Sequence, residues 1–376
     1  MTLPGYPTRV VPVSRTDPVA ILQELVAYRT DVEEGDERLL ANRLAKLLEA
    51  CRPDEVTVVD APRVEGGKTS SYVYARYGAP RLLVNAHLDT VPPNASWSSD
   101  PFVARIDGGK LFGLGAADTK GAAAAILAAL AEVRPVDTGI LFSGDEEFSS
   151  AAMRAFVASP LRVGLERAIV CEPTNLRAGT RHRGINVFDV TVTGPGGHSS
   201  HADALPSPIA LLSRLGVAYD DWGTRHATLG PPGFLGMCMN LAQLDGGVAF
   251  NVIPARGRLL ASIRPPPSTD PSAILAELEG LAREVVPAGT FALLRDNAPF
   301  ATRDLASFGP LLGGVAAAPI DLGFWTEAAL LAAAGIDAVV LGPGDIAQAH
   351  GPDEWVRVDE LAAACDLFRT VFAHRC

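Results

Sequence analysis

The chain predicts an α/β fold, a largely parallel sheet flanked by helices and interrupted by an inserted α+β domain of ferredoxin-like order. Its length, 376 residues, is about two and a half times a ~150-residue domain, so two domains or one interrupted domain is expected. Through the first 180 residues short apolar runs alternate with helical patterns, as in strands joined by crossover helices. Beyond residue 180 the order becomes strand, helix, strand, strand, helix, strand.

Residues 1–16 hold Pro4, Pro7 and Pro12 without an apolar period and read as an extended arm. Asp17-Pro18 starts a helix, with Asp as N-cap and Pro in the first turn, and Ile21, Leu22, Leu25 and Val26 form its apolar stripe. A second helix spans 36–51 and stops before Pro53. Strands follow at 71–76 and 81–86, a helix at 119–133, a buried strand at 139–143, a helix at 149–158 and another buried strand at 167–171. The insert carries strands at 184–193, 234–245, 255–264 and 290–295, with helices at 207–219 and 271–286. A helix at 326–334, a strand at 338–341 and a helix at 358–373 return to the first domain. The expected segments are 1–180 and 297–376 for the larger domain and 181–296 for the insert.

Composition narrows the function. With 48% hydrophobic and 20% charged residues the chain is globular rather than disordered. A net charge of −11 disfavours nucleic-acid binding, which rests on Lys and Arg, but leaves anionic small substrates open. The Ala-rich stretch 121–133 is too short to span a membrane and Glu132 interrupts it. Five scattered cysteines with no Cys-x-x-Cys pair, and no leader-like N-terminus, read as a reduced cytoplasmic protein whose thiols mostly fill core.

Five segments place carboxylates or imidazoles just after strands: His87-Leu88-Asp89; Gly113 to Gly121 with Asp118; Gly144-Asp145-Glu146-Glu147; Glu172-Pro173-Thr174; and Gly342 to His350. In open α/β sheets the crevice beyond the carboxyl ends of the strands is where ligands bind, so these loops should converge. Converging carboxylates need a cation between them. His87 and Asp89, two apart at a strand end, suit a ligand and the carboxylate that orients it. Asp118, Glu147 and Glu172 with a hydroxide would balance two divalent ions, and mixed imidazole and carboxylate donors suit zinc. Singly, each motif has a plainer reading: a hydrogen-bonded pair, a solvated Glu-Glu turn, a helix-entry carboxylate, a surface histidine. Their conjunction at strand ends favours the metal site.

Together these motifs resemble the acetylornithine deacetylase and succinyl-diaminopimelate desuccinylase family of dinuclear zinc amidohydrolases and peptidases. The resemblance runs from the first helix to the C-terminus. It implies a zinc-peptidase-like catalytic domain with an inserted lid and dimerisation domain. It also implies His87, Asp118 and Glu172 on one ion and His350, Asp118 and Glu147 on the other, zinc in the first instance and cobalt as the alternative. Glu146 would be the general base, and Asp89 would clamp His87. Gly196-Gly197-His198-Ser199-Ser200 resembles the family's lid histidine, which supplies an oxyanion donor to the partner subunit's site. Asn251 and Arg264 resemble substrate-binding residues of the lid, with Arg264 suited to a bidentate grip on a carboxylate. The runs Gly342 to His350 and Pro352-Asp353-Glu354 look like the arginine-pathway deacetylases, and His182-Arg183-Gly184-Ile185 and Phe324 to Ala328 look like acetylcitrulline deacetylase. One departure is Ala117-Asp118-Thr119, where many relatives flank the aspartate with bulkier residues. The expected substrate is therefore a small N-acetyl amino acid, acetylornithine first and acetylcitrulline second. A different amidohydrolase or dipeptidase is the further alternative. A homodimer through the lid is expected, with no nucleic-acid or membrane partner. Glu327 is a candidate carboxylate for an ornithine cation, or else a helix-start residue.

Overall fold

The computed structural model describes residues 15–63, 69–234 and 236–374. All but two residues of the expected N-terminal arm lie outside it, as does Cys376. The chain divides into a larger unit (1–180, 302–320, 326–376) and a smaller one (181–301, 321–325).

In chain order the principal strands of the larger unit are β1 (Glu55–Pro62), β2 (Thr69–Tyr77), β3 (Leu82–His87), β4 (Thr138–Ser143) and β5 (Arg167–Cys171). The smaller unit supplies β6 (Ile185–Thr193), β7 (Cys238–Gly246), β8 (Arg256–Arg264) and β9 (Thr290–Asn297), and the larger unit resumes with β10 (Asp337–Val340). The principal helices are α1 (Pro18–Val26), α2 (Glu37–Glu49), α3 (Lys120–Glu132), α4 (Ala151–Ala158), α5 (Pro208–His226), α6 (Pro271–Val285), α7 (Ala328–Ala333) and α8 (Val358–Ala373).

The larger sheet runs β1-β2-β4-β3-β5-β10. Its centre, β4-β3-β5-β10, is parallel, as the alternation of strands and helices predicts, but β1 and β2 are antiparallel. A short connection between β1 and β2 permits only that direction, because a parallel pair needs a crossover. β1 was not expected from the sequence; it is a partly exposed edge strand without a buried apolar run.

Helix ends follow their capping residues. The Asp17 carboxylate accepts the Val19 N–H at 3.0 Å and Asp36 caps α2 the same way, so both helices begin at an aspartate. α3 is alanine-rich because it is buried from Lys120 to Leu130 and packs against both α1 and α8, where only small side chains admit close approach. Around it lie Leu22, Leu25, Val84, Phe142, Val339 and Phe368, fully buried, each contributing about 1.5–3 kcal/mol.

Strand register sets the functional edge. His87 lies opposite Ser143, Ala86 opposite Cys171 and Val170 opposite Val340. The loops leaving these four parallel strands therefore start at one level, outside their carboxyl ends.

In the smaller unit the order β7-β8-β6-β9, all antiparallel, with α5 and α6 as the helical connections, is the ferredoxin-like arrangement. Phe188, Leu212, Tyr219, Trp222, Ala261, Ile263 and Leu278 form its core. Among the described residues no helix is long and apolar enough to cross a membrane, and Cys51, Cys171 and Cys365 are buried free thiols while Cys238 is exposed.

Candidate metal centre

His87 closes β3 and is buried. Its backbone N–H donates to Thr119 Oγ1 and that hydroxyl donates back to the His87 carbonyl, both at 3.0 Å, which fastens the strand end to the loop carrying Asp118. The ring Nδ1 lies 3.0 Å from the Asp89 carbonyl oxygen and 3.5 Å from its carboxylate. Both neighbours are acceptors, so Nδ1 carries a proton, and Nε2 faces the Asp118 carboxylate. The Asp89 carboxylate itself accepts the N–H groups of Glu146 (3.1 Å) and Glu147 (3.0 Å). Asp89 thus touches the imidazole chiefly through its carbonyl and spends its charge on the neighbouring loop, because the two-residue spacing brings the backbone rather than the side chain nearest to Nδ1.

Asp118 stands between two imidazoles. Its Oδ1 is 2.9 Å from His87 Nε2 and its Oδ2 is 3.5 Å from His350 Nε2, which in turn lies 3.0 Å from Glu147 Oε1. Ligand atoms of His87, Asp118 and Glu147 all fall within 4.8 Å of one another. His350 reaches this position with a left-handed backbone, φ 62°, at the end of the 342–350 loop. Glu172 leaves β5, is buried, and lies in the electrostatic field of Asp118 and Glu147.

Carboxylates outnumber imidazoles in this cluster. Burial and the charge of Glu172 push the Glu146 carboxyl well above the carboxylate range, and burial and Asp118 do the same to Glu172. Hydrogen bonds to Asp118 and Glu147 raise His350 to about 10, and His87 rises too, against its burial, through Asp118 and Asp89. The imidazoles and the Glu146 and Glu172 carboxyls thus favour their protonated forms against an excess of negative charge, while Asp118 is held low, against its burial, by its hydrogen bonds to His350 and His87. Two imidazoles and three carboxylates with that excess fit divalent cations.

Several residues that support the loops were not singled out from the sequence for that role. Glu354, quoted only as part of a run, accepts three backbone N–H groups of the 115–118 loop. Arg63 pairs with Glu37 and with Asp145 in a buried cluster beneath the 144–147 turn. An isolated arginine gives no pattern that sequence could reveal. Glu327, expected as a cation partner or a helix start, is 1% exposed, makes no capping bond to α7, and accepts a 2.8 Å hydrogen bond from Ser143. Burial raises its carboxyl to about 8, so it sits beside the acidic cluster largely protonated.

The sequence profile of peptidase family M20/M25/M40 matches residues 83–374, the span that carries every loop of this site. The chain belongs to this family. Among M20 relatives it is 37% identical over 314 residues to the N-acetyl-L-citrulline deacetylase of Xanthomonas campestris pv. campestris, covering 79% of this chain and 83% of that protein. It is 32% identical to the acetylornithine deacetylase of Myxococcus xanthus over 85% of each chain. In structure it resembles an M20 family metallo-carboxypeptidase from Sulfolobus solfataricus, with TM-score 0.75, 16% identity, and 94% and 98% of the two chains covered. It also resembles a dinuclear metal binding peptidase of the M20 family from Bacillus subtilis, with TM-score 0.66, 14% identity, and 94% and 96% covered.

The three remaining candidates of this M20 chain lie in the smaller unit. His198 and Asn251 are neighbours: Gly197–His198 pairs with Val252–Ile253, and the Asn251 carbonyl accepts the Ser199 N–H at 3.0 Å. His198 is exposed, with Ser200 Oγ 2.8 Å from its Nδ1. Arg264 is not with them. It ends β8, whose opposite end at Arg256 follows the loop bearing Asn251, so the nine-residue strand separates the two sets.

Proposed function

We propose that the protein hydrolyses the N-acetyl amide of a small N-acetylated amino acid with two divalent ions, zinc in the first instance and cobalt as the alternative. The observation that carries this reading is the meeting of His87, Asp118, Glu147 and His350, with the buried Glu172 and Glu146 in the electrostatic field of the same acidic cluster. His87, Asp118 and Glu172 would hold one ion, His350, Asp118 and Glu147 the other. Such ions supply Lewis acidity toward an acyl carbonyl and toward water. Glu146 is the general base: its carboxylate takes the proton of the attacking water and returns it to the departing amine nitrogen. A raised carboxyl suits that exchange, since a base works best with a pKa near the working pH. Asp89 holds the Glu146 and Glu147 amides so that the two side chains diverge into separate roles.

Acetylornithine is the first substrate reading, supported by deacetylase relatives such as that of Myxococcus xanthus. One observation favours acetylcitrulline: Glu327 is buried against Ser143 and protonated up to about pH 8, a poor counter-ion for an ornithine ammonium. The 37% identity to an N-acetyl-L-citrulline deacetylase points the same way. Arg264 is the proposed holder of the substrate carboxylate, with His198 and Asn251 as further lid contacts. The exposed edge strand β7 and the exposed Val217, Leu241 and Leu244 support a homodimer formed through the smaller unit. The free thiols are consistent with a reducing, cytoplasmic setting. A turnover panel on acetylated ornithine, citrulline, glutamate and lysine tests the reading. Acetate release from acetylornithine or acetylcitrulline that is lost in Glu146→Ala is expected; full turnover in that variant, or none on any substrate by the metal-loaded protein, would overturn it.

A further inference from the structure

The loop 115–118 has to present Asp118 to two imidazoles at once, and its backbone is held from a distant part of the chain. Glu354, 2% exposed, accepts the Gly115 N–H on Oε2 at 2.9 Å and the N–H groups of Ala117 and Asp118 on Oε1 at 2.8 and 3.0 Å. Its own carbonyl accepts the Gly113 N–H at 3.0 Å. Glu354 is anchored in turn by the strand Trp355–Arg357, which pairs with Lys110–Phe112. On the other side of the loop the buried stem of Lys120 packs so near Gly115 that a Cβ there would come within 3.0 Å of Lys120 Cδ, and Lys120 Nζ donates to the Tyr28 carbonyl at 2.8 Å. Gly115 itself takes φ 81°, open to glycine at little cost.

We infer that Glu354 is a positioning residue for the metal centre: its carboxylate gathers the three loop amides and thereby fixes Asp118 where both histidines meet it. A carboxylate accepting three N–H bonds is the strongest acceptor this loop can have, since charge-assisted bonds are about twice as strong as neutral ones. The inference rests on the metal-site reading above. Its distinguishing feature is that Glu354 acts on metal binding without touching an ion or the substrate.

Glu354→Gln keeps the shape and one acceptor oxygen but turns an N–H donor toward the Gly115 N–H. The probe is cobalt(II) titrated into metal-stripped full-length protein, followed by its visible absorption, with kcat and KM measured in parallel. A rise of about 10–100-fold in the apparent cobalt dissociation constant, an altered absorption band and a fall in kcat with KM little changed are expected. Glu354→Asp, which keeps the charge but is one methylene short, should fall between and serves if the glutamine variant fails to fold. Asp353→Asn, at a half-buried neighbour whose carboxylate accepts from the Ser98 N–H and hydroxyl, should bind cobalt as the parent does. The inference is overturned if Glu354→Gln and Glu354→Asp bind cobalt within about twofold of the parent, or if Asp353→Asn weakens binding as much as they do. A parent protein that takes up no cobalt would overturn the metal-site reading itself and this inference with it.

Discussion

Replacing Arg63 with methionine strands two buried carboxylates. The guanidinium pairs with Glu37 through Nη2 and lies 2.5 Å from Asp145 Oδ1 through Nε, with all three side chains 6% exposed or less. Glu37 also accepts Ser70 Oγ at 2.6 Å and the Ser71 N–H at 3.2 Å, and it presses so closely on Gly144 that no Cβ would fit there. Asp145, at φ 66°, opens the turn that carries Glu146 and Glu147. Removing one partner of a buried pair costs about 3–5 kcal/mol. At roughly 2–4 °C per kcal/mol for a unit of this size, Arg63→Met should lower the melting temperature by about 10 °C near neutral pH. The pH dependence fixes the cause. Burial and Asp89 already raise Glu37 from 4.5 to about 7 with Arg63 in place, so the folded state binds this proton more tightly than the unfolded one. Stability from Glu37 is therefore complete below its unfolded value and declines as pH rises through 7. Without Arg63 the decline steepens, so the deficit should be small near pH 5 and full near pH 8. Thermal unfolding followed by circular dichroism at both values is the assay, and Glu37→Gln added to Arg63→Met should recover part of the loss. A deficit under about 1 kcal/mol at the higher pH, the size of a surface pair, or an equal deficit at both, would refute the argument.

Asp89→Asn leaves the Glu146 and Glu147 amides with a weaker acceptor, at about 1.5–3 kcal/mol for a bond to a charged group, so kcat should fall about 10–100-fold in steady-state kinetics with KM nearly constant. An unchanged kcat would show that the turn is held without it. Glu327→Gln mimics the protonated carboxyl. Its folded pKa of about 8 stands above the ordinary 4.5, so the parent loses stability as pH rises across that window. The variant should gain ~2–5 kcal/mol over the parent at the alkaline end, read from melting temperatures, while the ratio of acetylornithine to acetylcitrulline turnover stays fixed. A changed ratio would return Glu327 to the substrate pocket.

Much of the larger unit was legible because its elements are buried and regular. Leu82 to His87, Thr138 to Ser143 and Ala168 to Cys171 are buried, largely apolar runs, and Asp17 and Asp36 mark helix starts that the structure keeps. The loops bearing His87, Glu146, Glu172 and His350 could be ordered on one edge because parallel strands align their carboxyl ends, whereas Asp118 follows Lys110–Phe112, a short strand of a separate antiparallel sheet. Contacts between residues far apart in sequence and without periodicity stayed hidden. Glu354 meets Gly115 across 239 positions and Arg63 meets Asp145 in a cluster that no local pattern announces. β1 escaped notice because an edge strand needs no buried face, and the division of labour within Asp89, carbonyl to His87 and carboxylate to the next loop, depends on angles that spacing alone does not fix.

Counting divalent ions per chain while activity returns tests the central claim most directly. Metal-stripped protein titrated with zinc should regain acetate release from acetylornithine or acetylcitrulline as two ions bind per chain, and Asp118→Asn, which removes the negative charge shared by His87 and His350, should bind neither tightly. Full activity in metal-stripped protein, or undiminished two-ion binding by Asp118→Asn, would contradict it.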